Sequence, residues 1–208
     1  MRPDFKVTID RWKHLMSAFS FSENLSVYDK IIAAYSEKHR AYHTVEHIDA
    51  CLRHLDTVSG ETMRTNEIEL ALWFHDIIYK PFSTTNEEDS AEWAREFLRD
   101  NKADTECIDR VYSLIILTKA HEDPESNDAR IMLDIDLSIL GARPEVYRQF
   151  EINIRKEYKR VPSFIFKKKR KEILLNFYER HRIYNTSYFH DLLEQQAKQN
   201  LAMAIEAL

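Results

Sequence analysis

The chain has 208 residues, 44% of them hydrophobic, which suits one globular domain with a core of its own. Its formal charge is -5, from 30 basic and 35 acidic residues, so it has little general attraction for nucleic acid or for an anionic membrane surface. No stretch approaches about 18 consecutive apolar residues, and the N-terminus lacks the apolar segment of a signal peptide. We therefore expect a cytoplasmic protein.

Apolar residues recur at three- and four-residue spacing along most of the chain, which is the pattern of packed helices. The chain has only two glycines, so few of its positions can adopt, without steric cost, the positive φ that hairpin turns need. We predict an all-α fold, a single-domain helical bundle of about ten helices. The predicted ranges are 5–20, 24–37, 44–58, 65–79, 87–101, 104–120, 128–140, 144–160, 163–181 and 187–207.

The sequence shows no internal repeat and no linker rich in glycine or serine, so we predict one domain over residues 1–208. Its core spans about 40–141, and C-terminal helices at about 144–207 pack against that core. Gly60 and Gly141 each follow an apolar helical run, which predicts a left-handed residue that ends the helix.

The first segment that carries chemistry is residues 40–48, which open a predicted helix. His43 and His47 are four residues apart and face the same way if the helix begins early enough. Two imidazoles at this spacing can approach one metal ion. The alternative is that each histidine is an ordinary core or surface side chain.

The second segment, residues 69–79, is apolar on every side and predicts a helix buried all round. A carboxylate buried there without a partner costs several kcal/mol, so Asp76 needs a cation nearby. His75 and Asp76 point about 100° apart on a helix, and a metal ion beside that edge could bind both. The alternative is a histidine with a core hydrogen bond and an aspartate that caps a helix or pairs with an arginine.

The third segment, residues 131–140, places Asp134 and Asp136 in an otherwise apolar helix, where at least one of them is difficult to expose to solvent. The alternative is an acid at the helix margin, paired with Arg130 or Lys119. Each alternative reading needs a partner of its own, whereas one metal ion satisfies all three segments together.

The ordered set His47, His75-Asp76 and Asp136 resembles the H…HD…D signature of the HD superfamily of metal-dependent phosphohydrolases. The chain is similar over most of its length to one branch of that superfamily, predicted phosphohydrolases of about 200 residues found mainly in bacteria. The similar segments are 40–43 with 47–48, 72–79, 86–87 with 90–91, 118–119 with His121, 133–141, 157–158 with 161–162, 183–184 and 200–202.

The resemblance implies a metal centre within the core at about 40–141. The implied ligands of a divalent ion are His47, His75, Asp76 and Asp136, and Asp134 would then orient a ligand or cap a helix. Two imidazoles and two carboxylates suit Mn, Co, Fe, Ni or Zn better than Mg. The implied activity is hydrolysis of a phosphoester or pyrophosphate bond in a small phosphorylated metabolite such as a nucleotide.

Other residues of these segments are candidates for the reaction. Glu87 is the candidate general base, although an acid at a helix start can serve the helix dipole alone. His43 and His121 could hydrogen-bond the nucleophile or leaving group, bind a second metal, or be structural. The candidates for binding substrate phosphate are Arg40, Lys80, Lys119 and Arg170.

Two other functions are compatible with these residues. One is an HD-type di-iron oxygenase, for which His43 and His121 would supply further ligands. The other is a non-catalytic helical domain that binds a ligand or partner and keeps a structural metal. We expect a small phosphorylated substrate and neither a membrane nor a nucleic acid as partner, and the sequence gives no oligomeric state.

Overall fold

A computed structural model describes residues 5–119 and 124–208. These residues form ten α-helices and two short 3-10 helices, and they contain no β-strand, which confirms the predicted all-α fold. The α-helices are α1 Ile9–Ala18, α2 Leu25–Tyr35, α3 Val45–Val58, α4 Thr65–Phe74, α5 Asn86–Asp100, α6 Thr105–Leu117, α7 Asn127–Asp136, α8 Pro144–Glu157, α9 Ser163–Glu179 and α10 Ser187–Ala207. None of the described helices is long and apolar enough to cross a bilayer.

The largest difference from the predicted helix ends is at α4, which was predicted to reach residue 79 and ends at Phe74. The apolar run continues past that point with no glycine or proline before Pro81, so periodicity alone gives no stop signal. The backbone N–H of His75 still donates to Ala71, and the chain then turns, with the Ile77 N–H bonded to Phe74. His75 and Asp76 therefore lie at the end of the helix instead of in its middle.

No glycine of the described chain has a positive φ, so the prediction for Gly60 and Gly141 is wrong. Gly141 ends the 3-10 helix Leu137–Gly141, where an added Cβ would lie 2.5 Å from Leu193 Cβ and 2.8 Å from the Leu193 carbonyl oxygen. Gly141 is thus required for the close approach of α10. Positive φ occurs instead at Ser20, Asn24 and Lys102.

The chain divides into two compact units, Met1–Met132 and Leu133–Leu208, with the division inside α7. In the first unit, α4 is the central helix and contacts α1, α3, α5 and α6. Trp73 of α4 is fully buried and meets the ring of Trp12 edge-on, with the centroids 5.5 Å apart. The prediction of a helix buried all round over residues 69–79 is confirmed only for Leu70 to Phe74 of α4, where every residue is fully buried. One domain over 1–208 stays a prediction.

In the second unit, α10 packs on the 3-10 helix Leu137–Gly141 and contacts α8 and α9. The Tyr184 hydroxyl donates to the Leu137 carbonyl at 3.1 Å, and the Asn200 amide donates to the carbonyls of Leu140 and Ala142, both at 2.8 Å. These bonds satisfy backbone carbonyls that a short 3-10 helix leaves without helical partners. They fix the backbone that directly follows Asp136.

Candidate metal centre

Two buried histidines of the first unit point ring nitrogens at each other. His47 lies in the first turn of α3, and His75 is the C-cap of α4. Their side chains are almost completely buried, and the two Nε2 atoms are 3.0 Å apart. The packing of α3 against α4 therefore brings two potential metal ligands to one point.

Asp76 adds a carboxylate to this pair. Its Oδ2 atom lies 3.2 Å from His75 Nε2 and 3.6 Å from His47 Nε2. Around an octahedral ion with ligand bonds of about 2.0–2.2 Å, adjacent ligand atoms lie about 3 Å apart, and around a tetrahedral ion about 3.4 Å apart. The triangle of three atoms thus has the dimensions of one face of a metal coordination shell.

The carboxylate of Asp76 is held in its ionised form. Burial raises the pKa of Asp76, but its interactions with the imidazoles of His75, His43 and His47 outweigh that effect and hold the pKa well below its ordinary value. A carboxylate must be deprotonated to bind a metal. The surroundings of Asp76 therefore favour the form that a metal centre uses.

Asp136, the last residue of α7, offers a second carboxylate. One carboxylate oxygen of Asp136 and one ring nitrogen from each of His47 and His75 lie within 4.8 Å of one another. The two histidines are buried and the aspartate is half-buried, so this group could hold a metal ion. The donor set, imidazole nitrogen with carboxylate oxygen, fits a divalent transition metal.

The tautomer of His75 follows from its second ring nitrogen. His75 Nδ1 lies 2.9 Å from the Leu72 carbonyl oxygen, which only accepts hydrogen bonds, so Nδ1 carries the proton. In the neutral ring, Nε2 then presents its lone pair toward His47 and Asp76. This backbone bond is the kind of outer contact that orients a histidine for metal binding.

Asp134 has hydrogen-bond partners of its own near the start of α10. Its two carboxylate oxygens accept hydrogen bonds from the backbone N–H groups and side chains of Asn185 and Thr186, at 2.7–3.2 Å. Thr186 is the N-cap of α10. Asp134 therefore stabilises the start of α10, which is the capping role that the resemblance allowed.

His43 lies beside the metal-binding group and outside any helix, because α3 begins at Val45, too late for His43 to share its face with His47. Its ring stacks on Tyr79 with centroids 4.1 Å apart, and its centroid is 6.1 Å from that of His47. Glu87 lies half-buried in the first turn of α5. His121 lies outside the described residues, and the catalytic roles of all three stay predictions.

The four basic residues predicted to bind phosphate are differently placed. Lys80 is exposed, and the ammonium of Lys119 contacts the Thr84 carbonyl and the Glu88 carboxylate. Arg170, in the second unit, forms a two-pronged ion pair with Glu151 at 2.7 and 3.0 Å. The guanidinium of Arg40 is buried and uses four of its five N–H groups on three backbone carbonyls and the Glu37 carboxylate. For Arg40 this arrangement fits a structural role better than contact with a phosphate.

Sequence reasoning missed Tyr35, which contributes directly to the geometry of the site. Tyr35 is fully buried at the end of α2, and its hydroxyl oxygen accepts a hydrogen bond from the Asp76 backbone N–H at 3.1 Å. Burial raises the pKa of Tyr35 well above its ordinary value, so the hydroxyl stays protonated. A tyrosine in an apolar helical run looks like any core aromatic, so no feature of the sequence indicates this contact.

Comparison with family models, with curated proteins and with solved structures gives no match to this chain. Membership of the HD superfamily therefore stays a prediction from the sequence motifs. The grouping of His47, His75 and Asp136 is a separate observation, made on geometry alone.

Proposed function

We propose that this chain is a metal-dependent hydrolase that cleaves a phosphoester or pyrophosphate bond in a small phosphorylated metabolite such as a nucleotide. His47, His75, Asp76 and Asp136 would hold a divalent ion. The single observation that carries the proposal is the convergence of His47, His75 and Asp76, whose ligand atoms lie 3.0–3.6 Å apart around one point. Burying imidazole and carboxylate groups this close together has a free-energy cost, and a bound cation would offset that cost directly.

The donor set favours Mn, Co, Fe, Ni or Zn over Mg, which prefers a shell made only of oxygen atoms. When bound, such an ion would lower the pKa of a coordinated water and polarise the phosphoryl group. Asp76 would supply a negative charge that partly neutralises the ion. The Nδ1–H of His75 donates to the Leu72 carbonyl and so orients the ring for binding. His43, beside the ring of His47, and Glu87 are the candidates for moving a proton.

The proposal is tested by a broad screen of nucleotides and phosphoesters with added Mn²⁺ or Co²⁺, monitoring release of phosphate and pyrophosphate. We expect turnover by the wild type and a loss of at least about 100-fold in His75→Ala and Asp76→Ala, since even outer partners of metal ligands cost 10- to 100-fold. Folded, metal-loaded wild-type protein that releases nothing across the screen would reject the proposal.

The chain offers a matched control for these variants. His190 and Asp191 form a second His-Asp pair, with Nδ1 and Oδ1 3.2 Å apart, on the exposed surface of α10. His190→Ala and Asp191→Ala should therefore keep wild-type turnover and metal content. Equal losses in both pairs would mean that the effect is general and not specific to the metal centre.

The same variants separate the two alternative functions. A structural metal predicts that His75→Ala and Asp76→Ala lose thermal stability while no substrate of the wild type is found. A di-iron oxygenase predicts two irons per chain by elemental analysis, with His43 as an additional ligand near His47.

A further inference from the structure

Arg40 connects the two backbone segments that carry the proposed ligands. One of its terminal N–H groups donates to the His43 carbonyl at 3.2 Å, just before α3 and His47. Two others donate to the carbonyls of Asp76 and Ile77 at 2.7 and 2.8 Å, just after His75. A single side chain therefore fixes the spacing between the segment that leads into His47 and the one that contains His75 and Asp76.

Arg40 provides hydrogen-bond donors to backbone carbonyls of the turn that follows α4. Because α4 ends at Phe74 and the chain then turns, the carbonyls of Asp76 and Ile77 lie beyond the helix and need donors from outside it. A buried carbonyl without a donor costs about 1–3 kcal/mol, and a positive charge at a helix C-terminus is itself favourable. Arg40 supplies both the donors and the charge at this position.

Each of the two peptide groups next to the Asp76 Cα is held by a hydrogen bond with a side chain of another segment. The Asp76 backbone N–H donates to the Tyr35 hydroxyl at 3.1 Å, and its carbonyl accepts from Arg40 at 2.7 Å. The Arg40 guanidinium also lies over the rings of Tyr35 and Tyr79, 4.9 and 5.5 Å from their centroids. With both neighbouring peptides fixed, the direction in which the Asp76 carboxylate leaves the backbone is fixed as well.

We propose that Arg40 is a positioning residue of the metal centre, which sets the placement of Asp76 and His75 relative to His47 through backbone hydrogen bonds. This inference rests on the metal site of the proposed function. Only arginine suits the position, because its planar fork reaches two carbonyls in one segment and a third in another. A lysine ammonium keeps the charge but is a single point, so it cannot hold both segments in this geometry.

The test compares Arg40→Lys with the wild type for Co²⁺ affinity, by titration, and for the visible absorption spectrum of bound Co²⁺, which reports ligand geometry. We expect Co²⁺ affinity to fall about 10- to 100-fold, the usual effect of losing an outer partner of metal ligands, and the spectrum to change. Arg40→Lys with wild-type affinity and spectrum would overturn the inference, whatever its thermal stability.

Arg11→Lys is the matched control. Arg11 is also a largely buried arginine, and it holds α4 through two hydrogen bonds to Glu69, both 2.9 Å, earlier in the helix than His75. This variant should lose stability and keep the affinity and spectrum of the wild type. If Arg11→Lys alters Co²⁺ binding as much as Arg40→Lys does, general loosening of α4 explains the result and the inference fails.

Tyr35→Phe tests the same idea with a change too small to prevent folding, because it removes only the hydroxyl that accepts the Asp76 N–H. We expect a Co²⁺ affinity loss of up to about tenfold, at the lower end of outer-partner effects. No change in affinity or spectrum would contradict the claim that the Asp76 peptide must be held. A wild type that binds no Co²⁺ would instead reject the metal site itself.

Discussion

Asp134 and Asp136 are two residues apart on α7 and serve different purposes. The Asp134 carboxylate accepts four hydrogen bonds at the start of α10, whereas Asp136 belongs to the group that could hold a metal. Burial raises the pKa of Asp134, although the donors of Asn185 and Thr186 work against that effect. Neighbouring acids on one helix can thus have unrelated roles, because their side chains leave it in different directions.

Asp134→Asn should destabilise the fold while leaving metal binding intact. The amide NH₂ of the new asparagine would face N–H and O–H donors that bond to a carboxylate oxygen in the wild type. Buried donors would then lack an acceptor, which should lower the free energy of unfolding by about 1–3 kcal/mol. Urea unfolding with and without Co²⁺ measures both properties. Asp191→Asn, on the exposed face of α10, is the control and should leave the midpoint unchanged. A wild-type midpoint for Asp134→Asn would disprove the capping role.

The candidates His75, Asp76 and Asp136 could be predicted at the residue scale because each is an ionisable side chain in an apolar segment, and ionisable groups need a reason to be there. Tyr35 and Arg40 could not be predicted in their observed roles. Arg40 bonds to carbonyls 36 and 37 residues away, so its partners depend on the tertiary fold and on where α4 ends. Its positive charge suggested a phosphate contact, which its burial makes less suitable.

At the scale of elements, helix periodicity predicted every α-helix, and the close approaches between helices were missed. The 3-10 helix Leu137–Gly141 packs so tightly on α10 that Gly141 has no space for a side chain, and the sequence alone suggested a different reason for that glycine. The end of α4 was also missed because its last residues are as apolar as those before them. Both features position backbone next to proposed ligands, Asp136 and His75.

Gly141→Ala should destabilise the chain by about 1–3 kcal/mol, the usual cost of overpacking a tight contact. The new Cβ would lie 2.5 Å from Leu193 Cβ and 2.8 Å from a backbone oxygen that cannot rotate away. Gly60→Ala is the matched control, since nothing lies within 4 Å of its added Cβ and its φ is not positive. Equal unfolding midpoints for the two variants would contradict the proposed packing constraint.

The contact between α1 and α3 predicts a pH dependence of stability. Burial raises the pKa of Asp56, but hydrogen bonds from Arg11 and Lys6 outweigh burial and lower the pKa below its ordinary value. A carboxylate with a lowered folded-state pKa adds stability above its ordinary pKa and loses that contribution as the pH falls through the folded-state value. Because this pair is partly exposed, the contribution should be below about 1 kcal/mol.

Asp56→Asn measures that contribution. The free energy of unfolding of the variant should fall below that of the wild type at pH 7, and the difference should shrink as the solution is acidified. Chemical denaturation of both proteins at a series of pH values measures this difference in the free energy of unfolding. A difference that is constant with pH, or that grows on acidification, would show that the ion pair of Asp56 is not its source.

At the scale of the whole molecule, composition predicted the class of fold, and a C-terminal group of helices was predicted at about 144–207, whereas the second unit begins at Leu133. The scarcity of glycine and the helical periodicity led to an all-α chain, as observed in the described residues. The division inside α7 has no signal in the sequence, because no linker composition marks it. Function is a property of the site and not of the helical fold, so the proposed hydrolase activity depends on the metal centre.

The most direct test of that centre is the metal stoichiometry of the purified protein, by equilibrium dialysis against Co²⁺ or Zn²⁺ followed by elemental analysis. A metal centre at His47, His75, Asp76 and Asp136 predicts one ion per chain in the wild type and in His190→Ala, and a loss of binding in His47→Ala and His75→Ala. A folded wild type that retains no ion, or a His47→Ala variant that binds as tightly as the wild type, would contradict it.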